Sequence, residues 1–460
     1  MRNRLLTTAL LTAALSTQAH AATTYLGNLL IDGQGTDLSN LHFTLEDGSR
    51  ANALDGFGSG LAYAGLSPKP NTYRFVSITD RGPNRAQTTH DENVDNTTSY
   101  PTRAQTWDIT LNPAPAGKYA LSIQLVKTTL FTTEAGERLV GRSDQFTSTD
   151  PSKNLRFDPE SIRVAPDGSL WVSDEYGPSV FHFDPNGKRI GIMKVPPYYQ
   201  ITNLSGKAEV EIQNNNIGRV TNKGFEGLAI SPDGSKLIAA MQAPLLQDGG
   251  DKTRFTRFAI FDAHTGNLLK EVVYALDASP NDPDDNSSKN SISDIVAIND
   301  HEMLVDERDG KKNKTKLAYI ADLNAATDIA GRTTILKNND LDTAITPTPK
   351  KLFIDVKKTI LATDPLTHVP SGYTTGIPDK LEGFAFGPLL PDGKRLLVIT
   401  NDNDFLLPSF ANGQSKTNQS PDGTAGYPNY FFILETDVTD LTTFTEEQFT
   451  THTTASAAAK

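Results

Sequence analysis

The acidic residues of this chain recur as partners a short strand-turn-strand apart. Glu160 is followed by Asp174-Glu175, Asp294 by Asp306-Glu307, Glu382 by Asp402, and Asp55 by Asp80. Glu226 is followed instead by Gln242, an amide where the other copies carry an acid. Carboxylates gathered without Cys or clustered His suit a hard cation, calcium before magnesium or manganese. The expected metal ligands are Glu160, Asp174, Glu175, Glu226, Asp294, Asp306, Glu382 and Asp402, not all to one ion. Arg81 and Arg308 directly follow acids, in Asp80-Arg81-Gly82-Pro83-Asn84 and Asp306-Glu307-Arg308. A guanidinium beside a metal-carboxylate cluster suits a pair of phosphate oxygens. It serves equally as counter-ion to its own acidic neighbours. Gln242, Asn401 and Asn403 are candidate neutral oxygen donors.

The elements that must position these residues are hairpins. Glu160 and Asp174 lie symmetrically about Pro166-Asp167-Gly168, Asp294 and Asp306 about Asp300, and Glu382 and Asp402 about Asp392. Symmetric pairing sets such positions side by side, with each acidic end opposite its turn. Pro-Asp-Gly recurs at Pro232-Asp233-Gly234 and Pro391-Asp392-Gly393, supplying a fixed φ and a positive φ. Further strand-like runs follow most copies, and helical periodicity is scarce. Repeated groups of about four strands predict an all-β propeller, with five visible blades and a sixth left open by the uneven copy spacing. Tyr25 to Ile31 is placed to close the ring beside the C-terminal strands. Several acid pairs at one channel mouth repel one another unless cations compensate them. A hydrated rim or turn caps would account for any single acid, but less well for the whole ring.

The sequence has 460 residues, no Cys and a formal charge of −12. Disulfides, thiolate chemistry and Cys-ligated metals are excluded, and nucleic acid or an anionic membrane is disfavoured as partner. Arg2 and Arg4 precede an apolar run, and Ala19-His20-Ala21 matches a signal-peptidase site, so export to a periplasm or beyond is expected. No later run approaches bilayer-spanning length. The expected organisation is a signal peptide at 1–21, one propeller domain at 22–449 and a disordered tail at 450–460. Polar stretches at His90 to Tyr100, Asp277 to Asn290 and Gln414 to Tyr427 read as surface loops. Asp282 to Asn286 lacks the Gly and closing Glu of a calcium loop, and reads as a solvated acidic segment. No nucleophile elbow and no nucleotide-binding glycine loop occur.

Asp80-Arg81-Gly82-Pro83-Asn84, Phe157-Asp158-Pro159-Glu160-Ser161, Asp174-Glu175-Tyr176-Gly177-Pro178, Gly224-Phe225-Glu226-Gly227-Leu228-Ala229 and Leu381-Glu382-Gly383-Phe384 resemble, in order, the phytase-like repeat family. That family is described by the esterase-like activity of phytase. The resemblance implies an Asp- and Glu-rich propeller with phosphoesterase or phosphodiesterase-like activity on a small phosphate ester. In that reading Arg81 and Arg308 clamp phosphate, and Asp80 or Glu307 orients the attacking water. Two other readings remain: a calcium-dependent lactonase or carboxylic esterase, and a calcium-stabilised binding module without catalysis.

Overall fold

A computed structural model describes residues 23–83, 94–95, 97–277, 290–309, 315–406 and 426–449. The expected signal peptide, the tail, Asn84, the acidic segment 282–286 and most of the three long loops lie outside the described residues.

Five four-stranded antiparallel sheets form the blades. Blade 1 is β2 (Gly60–Leu66), β3 (Thr72–Ile78), β4 (Arg103–Ala114) and β5 (Lys118–Leu130); a preceding strand, β1 (Thr23–Ile31), belongs elsewhere. Blade 2 is β6 (Pro159–Val164), β7 (Leu170–Asp174), β8 (Ser179–Phe183) and β9 (Arg189–Ile192). Blade 3 is β10 (Phe225–Ile230), β11 (Lys236–Met241), β12 (Phe255–Asp262) and β13 (Leu268–Ala275). Blade 4 holds β14 (Ser291–Ala297), β15 (Glu302–Arg308) and β16 (Lys316–Asp322). After a two-stranded excursion, β17 (Leu336–Lys337) and β18 (Asp340–Leu341), it is completed by β19 (Lys350–Asp355). Blade 5 is β20 (Leu381–Leu389), β21 (Arg395–Asn401) and β22 (Asn429–Thr436). As expected, β1 supplies its fourth strand, pairing antiparallel with β22 from Thr23–Thr436 to Ile31–Asn429. The long interval before Glu160 holds the outer strands of blade 1, and the described residues form a propeller of five blades.

Apolar side chains fill all five interfaces between neighbouring blades, which is where a twisted sheet buries its faces. Alternation along β15 shows the arrangement. Met303 and Val305 pack toward blade 3, while Leu304 packs toward blade 5. The Pro-Asp-Gly turns behave as expected: Gly168, Gly234 and Gly393 have φ of 83°, 74° and 86°. The innermost strands crowd the axis. A Cβ on Gly60 would lie 2.8 Å from Ser161 Cα, and one on Gly383 would lie 2.9 Å from Leu61 Cβ. Only glycine admits that approach.

The innermost strands are tied to one another by a buried ion pair. Arg163 donates from Nη2 to Asp294 Oδ1 at 2.8 Å, and to the carbonyls of Leu61, Ile162 and Ile295. Asp294 also accepts from Ser161 Oγ at 2.8 Å and from the Phe384 amide at 3.0 Å. This buried ion pair ties together blades 1, 2, 4 and 5. The segment after β22 passes beneath, with Thr445 N bonded to Ile298 O at 2.8 Å and Gln448 N to Pro232 O at 2.9 Å.

Candidate functional site

A repeated irregularity shapes the opposite mouth. The first strand of blades 2 to 5 carries a bulge at its start, so the symmetric pairing expected from sequence is displaced. Pro159, not Glu160, faces Asp174, and Leu381 pairs with Asn401 where Glu382 was expected beside Asp402. Phe225 likewise pairs with Met241, and Ile292 with Glu307. The bulged residue leaves the ladder. Glu160, Glu226, Ser293 and Glu382 hold that position in blades 2 to 5, and Ser59, just before β2, is its counterpart in blade 1. One residue beyond the ladder partner on the return strand come Asp80, Glu175, Gln242, Arg308 and Asp402. These two rings of residues form the acidic mouth.

Blade 2 makes its centre. Oxygens of Asp158, Glu160 and Glu175 lie within 4.8 Å of one another, all on buried residues. Arg81 serves this cluster from the side. Its backbone amide and its Nη1 each donate to Asp158 at 3.0 Å, and Nη1 also reaches Asn222 Oδ1 at 3.0 Å. Glu175 Oε2 is 3.9 Å from Arg81 Nη1, whereas Glu175 Oε1 is buried without any hydrogen-bond partner. Burial, then repulsion from Asp158, pushes the Glu175 carboxyl up to about 8. Burial, then repulsion from Glu226, holds Glu160 well above the ordinary carboxyl range.

A second group, Asp80, Asp402 and Asp404, converges within the same 4.8 Å limit. Here a cation is built in: Lys380 Nζ is 3.0 Å from Asp402 Oδ2 and 2.5 Å from Asp404 Oδ1. Burial first, against the opposing pull of Arg81, still leaves Asp80 raised to about 7. Lys380 overcomes burial at Asp404 and holds that carboxyl below its usual value.

Between these groups, Glu226 Oε1 accepts from Gln242 Nε2 at 2.8 Å, and its Oε2 is buried without a partner. Arg308 donates from Nε to Ser293 Oγ at 2.5 Å and pairs through Nη2 with Glu382. Glu226 lies 3.7 Å away.

Other expected site residues are committed elsewhere. Asp174 accepts the amides of Asp158, Tyr176 and Gly177 at 2.9–3.3 Å, which shapes the loop carrying Glu175. Asp294 belongs to the axial ion pair; blade 4 has Ser293 at the bulge, so the sequence alignment of that copy was one residue off. Asp306 lies at the blade 4–5 interface, both oxygens buried without a partner. Glu307 faces blade 3, accepting from Tyr274 Oη at 2.5 Å and pairing with Lys350. Asn401 bonds the Tyr430 amide and the carbonyls of Asp402 and Pro428. Asn403 bonds Asp55, the Tyr427 carbonyl and the Phe405 amide. Sequence reasoning missed Asp158, Lys380 and Asp404. Superposing Glu160 on Glu382 would have found the first two, since each stands two residues before its bulge acid.

Residues 54–405 match the family model described as "Phytase-like: Esterase-like activity of phytase". The chain belongs to the phytase-like family. A relative from Arthroderma benhamiae, described as an uncharacterized secreted protein, is 30% identical over 284 residues, covering 51% of this chain. The match spans about half the length of that relative, 52%. Solved structures are more distant. The calcium-binding protein regucalcin of Agrobacterium tumefaciens is 10% identical, with TM-score 0.32 and coverage of 86% of this chain and 94% of that one. A gluconolactonase of Xanthomonas campestris is 11% identical, with TM-score 0.29 and coverage of 92% and 99%. At such scores these likenesses carry no argument. No helix among the described residues of this phytase-like chain is long and apolar enough to cross a membrane.

Proposed function

We propose that this protein is an exported, metal-dependent hydrolase of small phosphoric esters, acting at the acidic mouth. The observation that carries the reading is the blade 2 triad: three converging buried carboxylates, one with an oxygen that nothing satisfies. An unsatisfied buried carboxylate oxygen costs several kcal/mol in apolar surroundings, roughly, and a cation removes that cost. The donors are all oxygen, so calcium is the first choice and magnesium or manganese the next. Asp158, Glu160 and Glu175 would hold the ion, with Glu226 on the adjoining blade. When bound, such an ion polarises the ester oxygens and lowers the pKa of an attacking water.

The chain's own residues supply the remainder. Asp80 Oδ1 accepts the Gly82 amide at 2.8 Å, and its carboxyl, raised to about 7, is matched to accepting a proton near neutral pH. Glu307, hydrogen-bonded on the blade 3 side, is not used as that base. Arg81 and Arg308 border the mouth and stabilise developing negative charge.

One observation favours a second reading, the carboxylic ester or lactone. Both guanidinia already face carboxylates, Arg81 with Asp158 and Arg308 with Glu382, which weakens the case for a dedicated phosphate clamp. Hydrolysis of chromogenic phosphomonoester, phosphodiester and carboxylic ester substrates, in chelator and then with calcium restored, separates the readings. Calcium-restored phosphate release that Arg81→Ala reduces supports the first. Carboxylic ester cleavage alone supports the second, and no turnover of any ester, with a calcium-dependent rise in melting temperature, leaves a binding module.

A further inference from the structure

Blade 5 repeats the mouth positions of blade 2 with one reversal of charge. Leu381 pairs with Asn401 as Pro159 pairs with Asp174, so Lys380 stands where Asp158 stands and Asp402 where Glu175 stands. In blade 2 the acids leave an oxygen buried and unpartnered. In blade 5 the corresponding space holds an ammonium, bonded to both Asp402 and Asp404. Asp80 from blade 1 completes the surrounding carboxylates. Arg81 lies between the groups, its charge felt by Asp158 and Asp80 alike.

We propose that Lys380 is a tethered cation occupying the second of two cation positions in the mouth, so that the native protein takes one divalent ion rather than two. The proposal rests on the reading of the mouth as a metal site. Its physical basis is substitution of like for like. Asp80, Asp402 and Asp404 converge within the same 4.8 Å limit as the blade 2 triad, and a nearby positive charge stabilises the ionised form of such a group. An ammonium has three N–H donors. Two are spent on Asp402 and Asp404, and the side chain keeps 28% of its exposure, so the third is available to a substrate oxygen. A substrate would thus meet the ion on the blade 2 side and a fixed, non-exchangeable positive charge on the blade 5 side.

Calcium titration by calorimetry and equilibrium dialysis, on the full chain, tests this by counting ions. The wild type should bind one, Lys380→Met two, Glu175→Gln none, and the double variant one. Lys380→Met should also gain more melting temperature from calcium than the wild type does. Two ions in the wild type, or still one in Lys380→Met, overturns the tethered cation while leaving the metal reading intact. No ion in the wild type, or an ion retained by Glu175→Gln, overturns the metal reading and the proposal with it. Should Lys380→Met not fold, Asp404→Asn replaces it. That isosteric change keeps Lys380 and should keep one ion; a lost or second ion overturns the proposal.

Discussion

Blade 2 and blade 5 offer the mouth the same three positions, filled as Asp158, Glu160 and Glu175 in one and as Lys380, Glu382 and Asp402 in the other. Their electrostatics differ completely. Blade 5 meets cations supplied by the protein itself, because Lys380 pairs with Asp402 and Asp404 while Arg308 of blade 4 pairs with Glu382. Blade 2 has one guanidinium at its flank and a carboxylate oxygen with no partner. In a repeat fold the backbone supplies equivalent places, and side-chain charge decides which of them needs a ligand.

The largest effect should come from breaking the blade 2 half. Glu175→Gln is expected to lower calcium affinity and ester hydrolysis by more than about 100-fold, beyond the loss seen when only an outer hydrogen-bond partner is removed. Calorimetry and steady-state rates measure it. A variant with native rates would equalise the two blades and end the comparison.

Breaking the ion pair that blade 4 makes with blade 5 should instead appear as stability. Arg308→Met leaves Glu382 buried and unpaired, at an expected cost of about 3–5 kcal/mol in denaturant unfolding. Adding Glu382→Gln should restore part of it, since the charge that lost its partner is gone.

Proton linkage sharpens the contrast. Asp80 and Glu175 have folded values raised to about 7 and about 8. A raised value favours the protonated folded state, so that stability is present at low pH and lost as pH rises through 7 to 8. In chelator, stability should fall from about pH 4, where the unfolded carboxyls ionise, to about pH 7 for Asp80 and about pH 8 for Glu175, with a slope of up to about 1.4 kcal/mol per pH unit for each, and level off above. Calcium competes with those protons, so its stabilising effect should grow over the same range. Glu175→Gln should flatten both trends, read from melting temperatures with and without calcium.

The smallest effect concerns the ladder position, where blade 2 has Asp174 and blade 5 has Asn401. Asp174→Asn would set an amide among three backbone donors and is expected to cost about 1–3 kcal/mol. The ion count should stay at one. A lost ion would make Asp174 a ligand, as its sequence position suggested.

Much of the mouth was legible because its logic is local. Asp80, Glu175, Gln242, Arg308 and Asp402 each stand at or just beyond the end of a return strand, and strand, turn and return strand are contiguous in sequence. Asp174 and Glu307 were misleading because adjacent residues at a strand end face opposite ways, and an unseen bulge decides which one points inward. Lys380 was passed over because a search for acids does not register the cation that answers them.

By itself the sequence determined the hairpin repeat, the all-β propeller, the closure by the N-terminal strand and the collection of acids at the end opposite the turns. These follow from alternation, turn chemistry and repetition, which act over a few residues at a time. Tertiary structure alone decided that five blades close the ring and that Asp294 meets Arg163 at the axis. It also decided that one acidic triad keeps an unmet need for positive charge while the other is filled by Lys380. Those outcomes depend on Coulomb interactions and burial between residues hundreds of positions apart, which only the closed ring brings within reach.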